Sequence, residues 1–77
     1  MNKYIIIVDN NIQNIKSIIN SIMNRIENQN IKSFVATDKL EIQEIEQSND
    51  ISLILINKKL NFIYNSENNS SILYYRR

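Results

Sequence analysis

The chain has 77 residues, a formal net charge of +1 at pH 7, and neither cysteine nor histidine. This composition excludes disulfides and thiolate metal sites, removes the commonest general base, and gives no strongly basic surface for nucleic acid. It also contains 17 Ile and 14 Asn but no Gly or Pro, a bias typical of AT-rich genomes. Without glycine, we expect asparagine at any left-handed backbone position.

The length predicts a single domain over residues 1–77. No apolar run approaches the roughly 18 residues of a membrane span. The apolar run near the N-terminus is too short for the core of a signal peptide. We therefore expect a soluble, cytoplasmic protein that does not contact membranes.

Residues 3–9 predict the first strand. Their unbroken apolar run indicates a strand covered on both faces, as in a parallel sheet. Asn10 or Asn11 should cap a helix from Ile12 to Asn28, with Asn30 as a left-handed cap at its end. The apolar positions of this helix are Ile12, Ile15, Ile19, Ile22 and Ile26. The same spacing fits a coiled-coil seam, but so few heptads favour a helix packed on its own sheet.

A shorter strand over residues 31–36, with two polar positions, suits the edge of a sheet. Thr37 or Asp38 should then cap a second helix, because Asp38 and Glu41 have the spacing of a capping box. The apolar positions of this helix are Leu40, Ile42 and Ile45. We expect Glu44 and Glu46 to be solvated.

Residues 51–56 predict a third strand, again unbroken and apolar. The order β-α-β-α-β with short connections predicts a small doubly wound, flavodoxin-like α/β sheet with strand order 2-1-3. Ligands in such sheets bind at the carboxyl ends of strands where the order switches. The candidate site residues there are Asp9, Asn10 and Asn57.

The remaining segment has no room for a third amphipathic helix. Phe62–Tyr64 and Ile72–Tyr75 predict two short strands, forming either a hairpin or a fourth strand reached through a polar loop.

The strand endings Val8-Asp9-Asn10 and Leu53-Ile54-Leu55-Ile56-Asn57 resemble a response-regulator receiver domain over about residues 3–60. In that family the first strand ends in two acids that help to hold magnesium, and the third ends in the phosphoryl-accepting aspartate. Here these positions are Asp9, Asn10 and Asn57. An amide is neither a nucleophile toward phosphorus nor a charged ligand for a hard cation.

The resemblance therefore implies a truncated pseudo-receiver that cannot be phosphorylated. It has no residues matching the family's later hydroxyl and lysine. We expect no metal, no cofactor and no enzymatic activity. The competing interpretation is that Asp9 and Asn10 only cap the first helix and Asn57 only ends a strand.

Two functions remain open. The first is a protein-interaction module that binds another protein or forms a homodimer, because a small sheet leaves an unsatisfied edge. Its candidate contacts are Phe62, Tyr64, Tyr74 and Tyr75.

The alternative is nucleic-acid binding by a small basic platform with stacking rings. Its cations would be Lys58, Lys59, Arg76 and Arg77, with Tyr64, Tyr74 and Tyr75 between them. The simpler interpretation is that these are solvated charges and packed tyrosines.

Overall fold

A computed structural model describes residues 3–25, 31–66 and 68–76. Its strands are β1 (Lys3–Val8), β2 (Ile31–Ala36), β3 (Ile51–Asn57) and β4 (Ser71–Tyr75). Its helices are α1 (Ile12–Arg25) and α2 (Lys39–Ser48), and a 3₁₀ turn spans Lys58–Leu60. All neighbouring strands are parallel, in the order β2-β1-β3-β4. The predicted small α/β sheet of order 2-1-3 is confirmed, and the strand predicted at Ile72–Tyr75 is its fourth strand, β4.

β1 lies inside the sheet, between β2 and β3. Ile6, Ile7 and Val8 are all fully buried although successive strand residues point to opposite faces. Both faces of the strand are therefore covered, as its unbroken apolar sequence predicted.

Helix α1 covers one face of the sheet. The core there contains Ile5, Ile7 and Leu55, and the helix packs on it through Ile15, Ile18, Ile19 and Ile22. Ile12 is exposed although it belongs to the predicted apolar stripe. It is the first residue of α1, and the buried stripe begins one turn later. The predicted helix end at Asn28 and the cap at Asn30 lie outside the described residues.

Helix α2 covers the other face, where its buried Ile42 meets Ile6, Ile54 and other strand residues. Asp38 is its N-cap, and Asp38 Oδ1 accepts a hydrogen bond from the backbone N–H of Glu41 at 2.9 Å. Leu40, the first of the apolar positions named for this helix, is 63% exposed and does not belong to the core.

The segment between β3 and β4 corrects the prediction for Phe62–Tyr64. These residues form no strand, and there is no hairpin within 51–66 and 68–76, because β4 pairs parallel to β3. Instead Leu60, Phe62 and Tyr64 pack on the α2-side core. The alternate residues of the segment supply apolar cover for the sheet, in the place where a helix would lie in a longer α/β domain.

The chain uses asparagine where the backbone is left-handed, as the lack of glycine predicted. Asn61 ends the 3₁₀ turn with φ 61°, and Asn69 precedes β4 with φ 59°. Both positions lie in the connection that reverses the chain direction between the parallel strands.

Neither α1 nor α2 is long and apolar enough to cross a membrane, a statement that covers the described residues only.

Candidate functional site at the carboxyl edge of the sheet

Asp9 and Asn57 meet at the carboxyl edge, because parallel strands end on the same side of a sheet. Asp9 follows β1, and Asn57 is the last residue of β3. The side-chain Nδ2 of Asn57 donates to Asp9 Oδ2 at 3.0 Å. Asp9 is 0% exposed and Asn57 is 3% exposed. Asn10 is exposed. Of the three predicted residues, the structure places two in a buried contact.

Tyr75 is a member of this site that the sequence reasoning assigned elsewhere. Its hydroxyl donates to Asp9 Oδ2 at 2.6 Å, while the backbone N–H of Asn11 donates to Oδ1 at 3.0 Å. Tyr75 reaches Asp9 because β4 runs parallel to β3 and pairs Tyr75 with Asn57. The sequence signal for this contact was the aromatic end of the last strand, which becomes informative only once that strand is placed in the sheet.

The surroundings of Asp9 keep its carboxylate ionised. Burial by itself raises the pKa of a carboxyl group. Hydrogen bonds from the Tyr75 hydroxyl, the Asn11 N–H and the Asn57 amide outweigh that effect and lower the pKa of Asp9 below its ordinary value of 3.8. The site is therefore a buried anion held by neutral donors.

Asn57 and Asn11 also organise the turns that follow their strands. Asn57 Oδ1 accepts from the N–H of Lys59 at 2.9 Å and caps the 3₁₀ turn. Asn11 Oδ1 accepts from the N–H groups of Gln13 and Asn14, so Asn11 caps α1. The amide of Asn57 thus uses both of its ends, its donor toward Asp9 and its acceptor toward the turn. A carboxylate at position 57 could not donate to Asp9.

Glu46 forms a second buried carboxylate site, and the prediction that it is solvated is wrong. The residue is 3% exposed. Its Oε1 accepts from the Tyr64 hydroxyl, and its Oε2 accepts from the hydroxyls of Ser66 at 2.6 Å and Ser70 at 2.8 Å. Glu46 lies one helical turn after buried Ile42, so the spacing of α2 already placed it on the inward face. Glu44 is exposed, as expected.

The hydrogen bonds of Glu46 fix the connection that leads into β4. Burial would raise the pKa of Glu46, but hydrogen bonds from Ser66, Tyr64 and Ser70 lower it below the ordinary 4.5. Asn68 adds a bond from its Nδ2 to the Glu46 carbonyl oxygen at 3.0 Å. The polar residues of the loop therefore converge on one residue of α2, Glu46.

The basic and aromatic residues near the C-terminus divide between two locations. Tyr64 is buried, and Tyr75 points at Asp9, so the three tyrosines do not share one exposed platform. Lys58, Lys59 and Arg76 are exposed, while Arg77 lies outside the described residues. Lys58, Tyr74 and Arg76 do line a common cleft, together with Lys39, Asn61, Phe62 and Ile63.

No group of three or more acidic, histidine or cysteine residues is arranged to hold a metal ion within residues 3–25, 31–66 and 68–76. Comparisons of the chain with protein-family profiles, with curated proteins and with solved structures find no match.

We predict that Glu46→Gln destabilises the fold. The glutamine has one acceptor oxygen for three hydroxyl donors and places its NH₂ group against some of them. We expect a loss of about 1.5–3 kcal/mol, the scale of hydrogen bonds to a charged group, in the free energy of unfolding measured with urea. Glu44→Gln is the matched control and should change stability by less than about 0.5 kcal/mol. Equal effects of the two substitutions would contradict this role for Glu46.

We also predict that Tyr75→Phe weakens the pH dependence of stability. Because the folded-state pKa of Asp9 is lowered, its contribution is present above the ordinary pKa of 3.8 and is lost as the pH falls through the folded-state value. Removing the hydroxyl should cost about 1.5–3 kcal/mol at neutral pH and reduce the further loss on acidification.

Urea unfolding at neutral and acidic pH measures both effects. Tyr4→Phe is the control, since Tyr4 packs beside the Phe34 ring on the α2 side and makes no contact with Asp9 in the described structure. A Tyr75→Phe variant with the stability profile of Tyr4→Phe would show that the hydroxyl does not hold Asp9.

Proposed function

We propose that this chain is a non-enzymatic protein-interaction module, a pseudo-receiver that cannot be phosphorylated and that self-associates through β4. The observation that carries the self-association is the character of this edge strand. β4 pairs only with β3 among the described strands, so it is an edge strand of the sheet. Residues 71–75 contain no charged side chain.

The two edges of the sheet differ in the way they are protected. β2, at the other edge, carries the exposed Lys32, a residue type that discourages pairing with a further strand. β4 has Leu73 at its centre instead, with a side chain that is 56% exposed. An uncharged edge with an exposed apolar residue favours β4 as the strand that pairs with another chain.

The sequence of β4 is complementary to itself in an antiparallel arrangement. A two-fold axis at Leu73 would set Ile72 opposite Tyr74 of the partner subunit and Ser71 opposite Tyr75 of the partner subunit. Pairs of aromatic and β-branched residues stabilise neighbouring strands by about 0.2–1 kcal/mol each. Such an interface is isologous, the commonest arrangement in homodimers, and a net charge of +1 gives little repulsion between copies.

The apolar surface beside β4 also supports pairing with a second copy of the chain. Leu53 and Leu73 lie on the face of the sheet that α1 covers. However, α1 connects β1 to β2, and β2 is the edge of the sheet opposite β4. Leu53 is half-buried and Leu73 is exposed. A second copy paired along β4 would bring its own Leu73 to this position and cover part of that surface.

The pseudo-receiver part of the proposal depends on the contacts of Asp9. Both oxygens of Asp9 already accept hydrogen bonds, and the aromatic side chain of Tyr75 lies against one of them. At the position that resembles the phosphoryl acceptor, Asn57 is nearly fully buried and offers an amide. These contacts support the proposal that Asp9 and Asn57 serve to stabilise the fold through hydrogen bonds.

For self-association we predict that Leu73→Lys abolishes the dimer. Two ammonium groups would face each other at the two-fold axis, and directly opposed like charges destabilise strand pairs. Light scattering after size exclusion at high micromolar concentration should give a dimer mass for the unmodified chain and a monomer mass for the variant.

Val35→Lys is the matched control for this experiment. Val35 is exposed on the opposite edge strand, so its substitution should leave the dimer intact. A monomeric unmodified chain, or loss of the dimer in both variants, would contradict pairing through β4.

For the pseudo-receiver we predict no response of Asp9, Asn10 or Asn57 to magnesium and beryllofluoride, a phosphoryl analogue. A heteronuclear spectrum of the unmodified chain measures this residue by residue. Asn57→Asp should lower stability without magnesium, because two carboxylates would then face each other, and millimolar magnesium should restore it. Clustered shifts at these three residues in the unmodified chain would contradict the proposal.

A further inference from the structure

An open cleft of about 690 Å³ lies at the carboxyl edge of the sheet, on the α2 side. Three separate elements each bring one cation to it. Lys39 is the first residue of α2, Lys58 begins the 3₁₀ turn after β3, and Arg76 follows β4. The convergence results from the parallel sheet, which ends β2, β3 and β4 at one edge.

The cleft has a positive electrostatic character. None of the residues that line it is acidic. Asp38, next to Lys39 in the chain, already accepts a hydrogen bond from the N–H of Glu41. The carboxylates of Asp9 and Glu46 are buried and accept hydrogen bonds of their own. A concave surface with cations of one sign concentrates anions from solution.

The cleft also has an aromatic wall that is fixed by the core. Phe62 and Tyr74 are half-buried and pack on the α2-side core. The Tyr74 hydroxyl accepts from the backbone N–H of Tyr64 at 3.2 Å, which ties Tyr74 to a buried residue. The ammonium of Lys39 lies over the Phe62 ring, 5.8 Å from its centroid. Ring surface and positive charge are therefore adjacent.

We propose that this cleft binds a nucleoside phosphate, with the phosphate between Lys58 and Arg76 and the base against Phe62 and Tyr74. Its volume lies within the range of about 300–1,000 Å³ that is usual for small-molecule sites. Phosphate alone would need only the cations, and an apolar ligand only the rings. A ligand with an anionic end and a flat aromatic end uses both.

The proposal can be tested separately from self-association through β4, although Tyr74 belongs to both surfaces. Tyr74 and Leu73 are successive strand residues, so their side chains lie on opposite faces of the sheet. The ligand would contact the α2 side, whereas the exposed Leu73 is on the α1 side. Leu73→Lys therefore tests the dimer and leaves the residues of the cleft in place.

The test is a heteronuclear titration of the full chain with AMP, ribose 5-phosphate and adenosine at low salt. AMP should shift the signals of Lys39, Lys58, Asn61, Phe62 and Tyr74. Lys58→Ala and Arg76→Ala should each weaken AMP binding by about fivefold, the scale of an exposed ion pair. Ribose 5-phosphate, which lacks the base, should bind at least about fivefold more weakly than AMP, because stacking on an aromatic side chain is lost.

Lys32→Ala is the matched control, because it removes the same charge from an exposed position on β2 and should leave AMP binding unchanged. Equal effects of all three substitutions, equal binding of ribose 5-phosphate, or shifts outside the cleft would each overturn the proposal. A short oligothymidylate that binds far more tightly than AMP would also overturn it, and would assign the cleft to single-stranded nucleic acid.

Discussion

The arrangement of the sheet depends on the hydrogen bonds that the carboxylate of Asp9 accepts. This carboxylate is fully buried and accepts hydrogen bonds from the turn after β1, from the end of β3 and from the end of β4. A buried charge is costly unless donors satisfy it, so each donor must be kept in place. The carboxyl ends of β1, β3 and β4 are consequently held in one register at one point, and the cleft lies at the same edge.

Glu46 plays the corresponding part for the connection between β3 and β4. A parallel pair needs a crossover of a dozen or so residues, usually a helix. This chain forms no helix there beyond the 3₁₀ turn Lys58–Leu60 within the residues that the structure describes. It uses an extended segment that inserts Leu60, Phe62 and Tyr64 into the core, while hydroxyls of Ser66 and Ser70 reach Glu46. The carboxylate thus replaces the regular backbone bonds that a helix would provide.

The two proposals follow from what these centres leave unoccupied. Both oxygens of Asp9 accept hydrogen bonds, and the side-chain amide of Asn57 is one of the donors. The outer edge of β4 and the cationic cleft remain accessible. In the first proposal, the edge of β4 offers backbone hydrogen bonds and an apolar side chain to a second copy of the chain. In the second, the cleft offers positive charge and aromatic rings to a small anion.

The sequence by itself determined the order of the first five elements, the parallel sheet, the cap of α2 and the use of asparagine at left-handed positions. The elements and the cap depend on neighbours along the chain, so periodicity and residue type suffice for them. The parallel sheet follows from the alternation of strands and helices with short connections. Tertiary structure alone decided that Tyr75 reaches Asp9, that the hydroxyls of the β3–β4 connection reach Glu46, and that β4 runs parallel to β3. Tyr75 and Asp9 are 66 positions apart in the sequence. The hydroxyl donors of Glu46 are 18 to 24 positions from it, and the paired residues of β3 and β4 are about 18 positions apart. Local patterns carry no information about such distances, because burial and pairing at these positions are set by the whole fold.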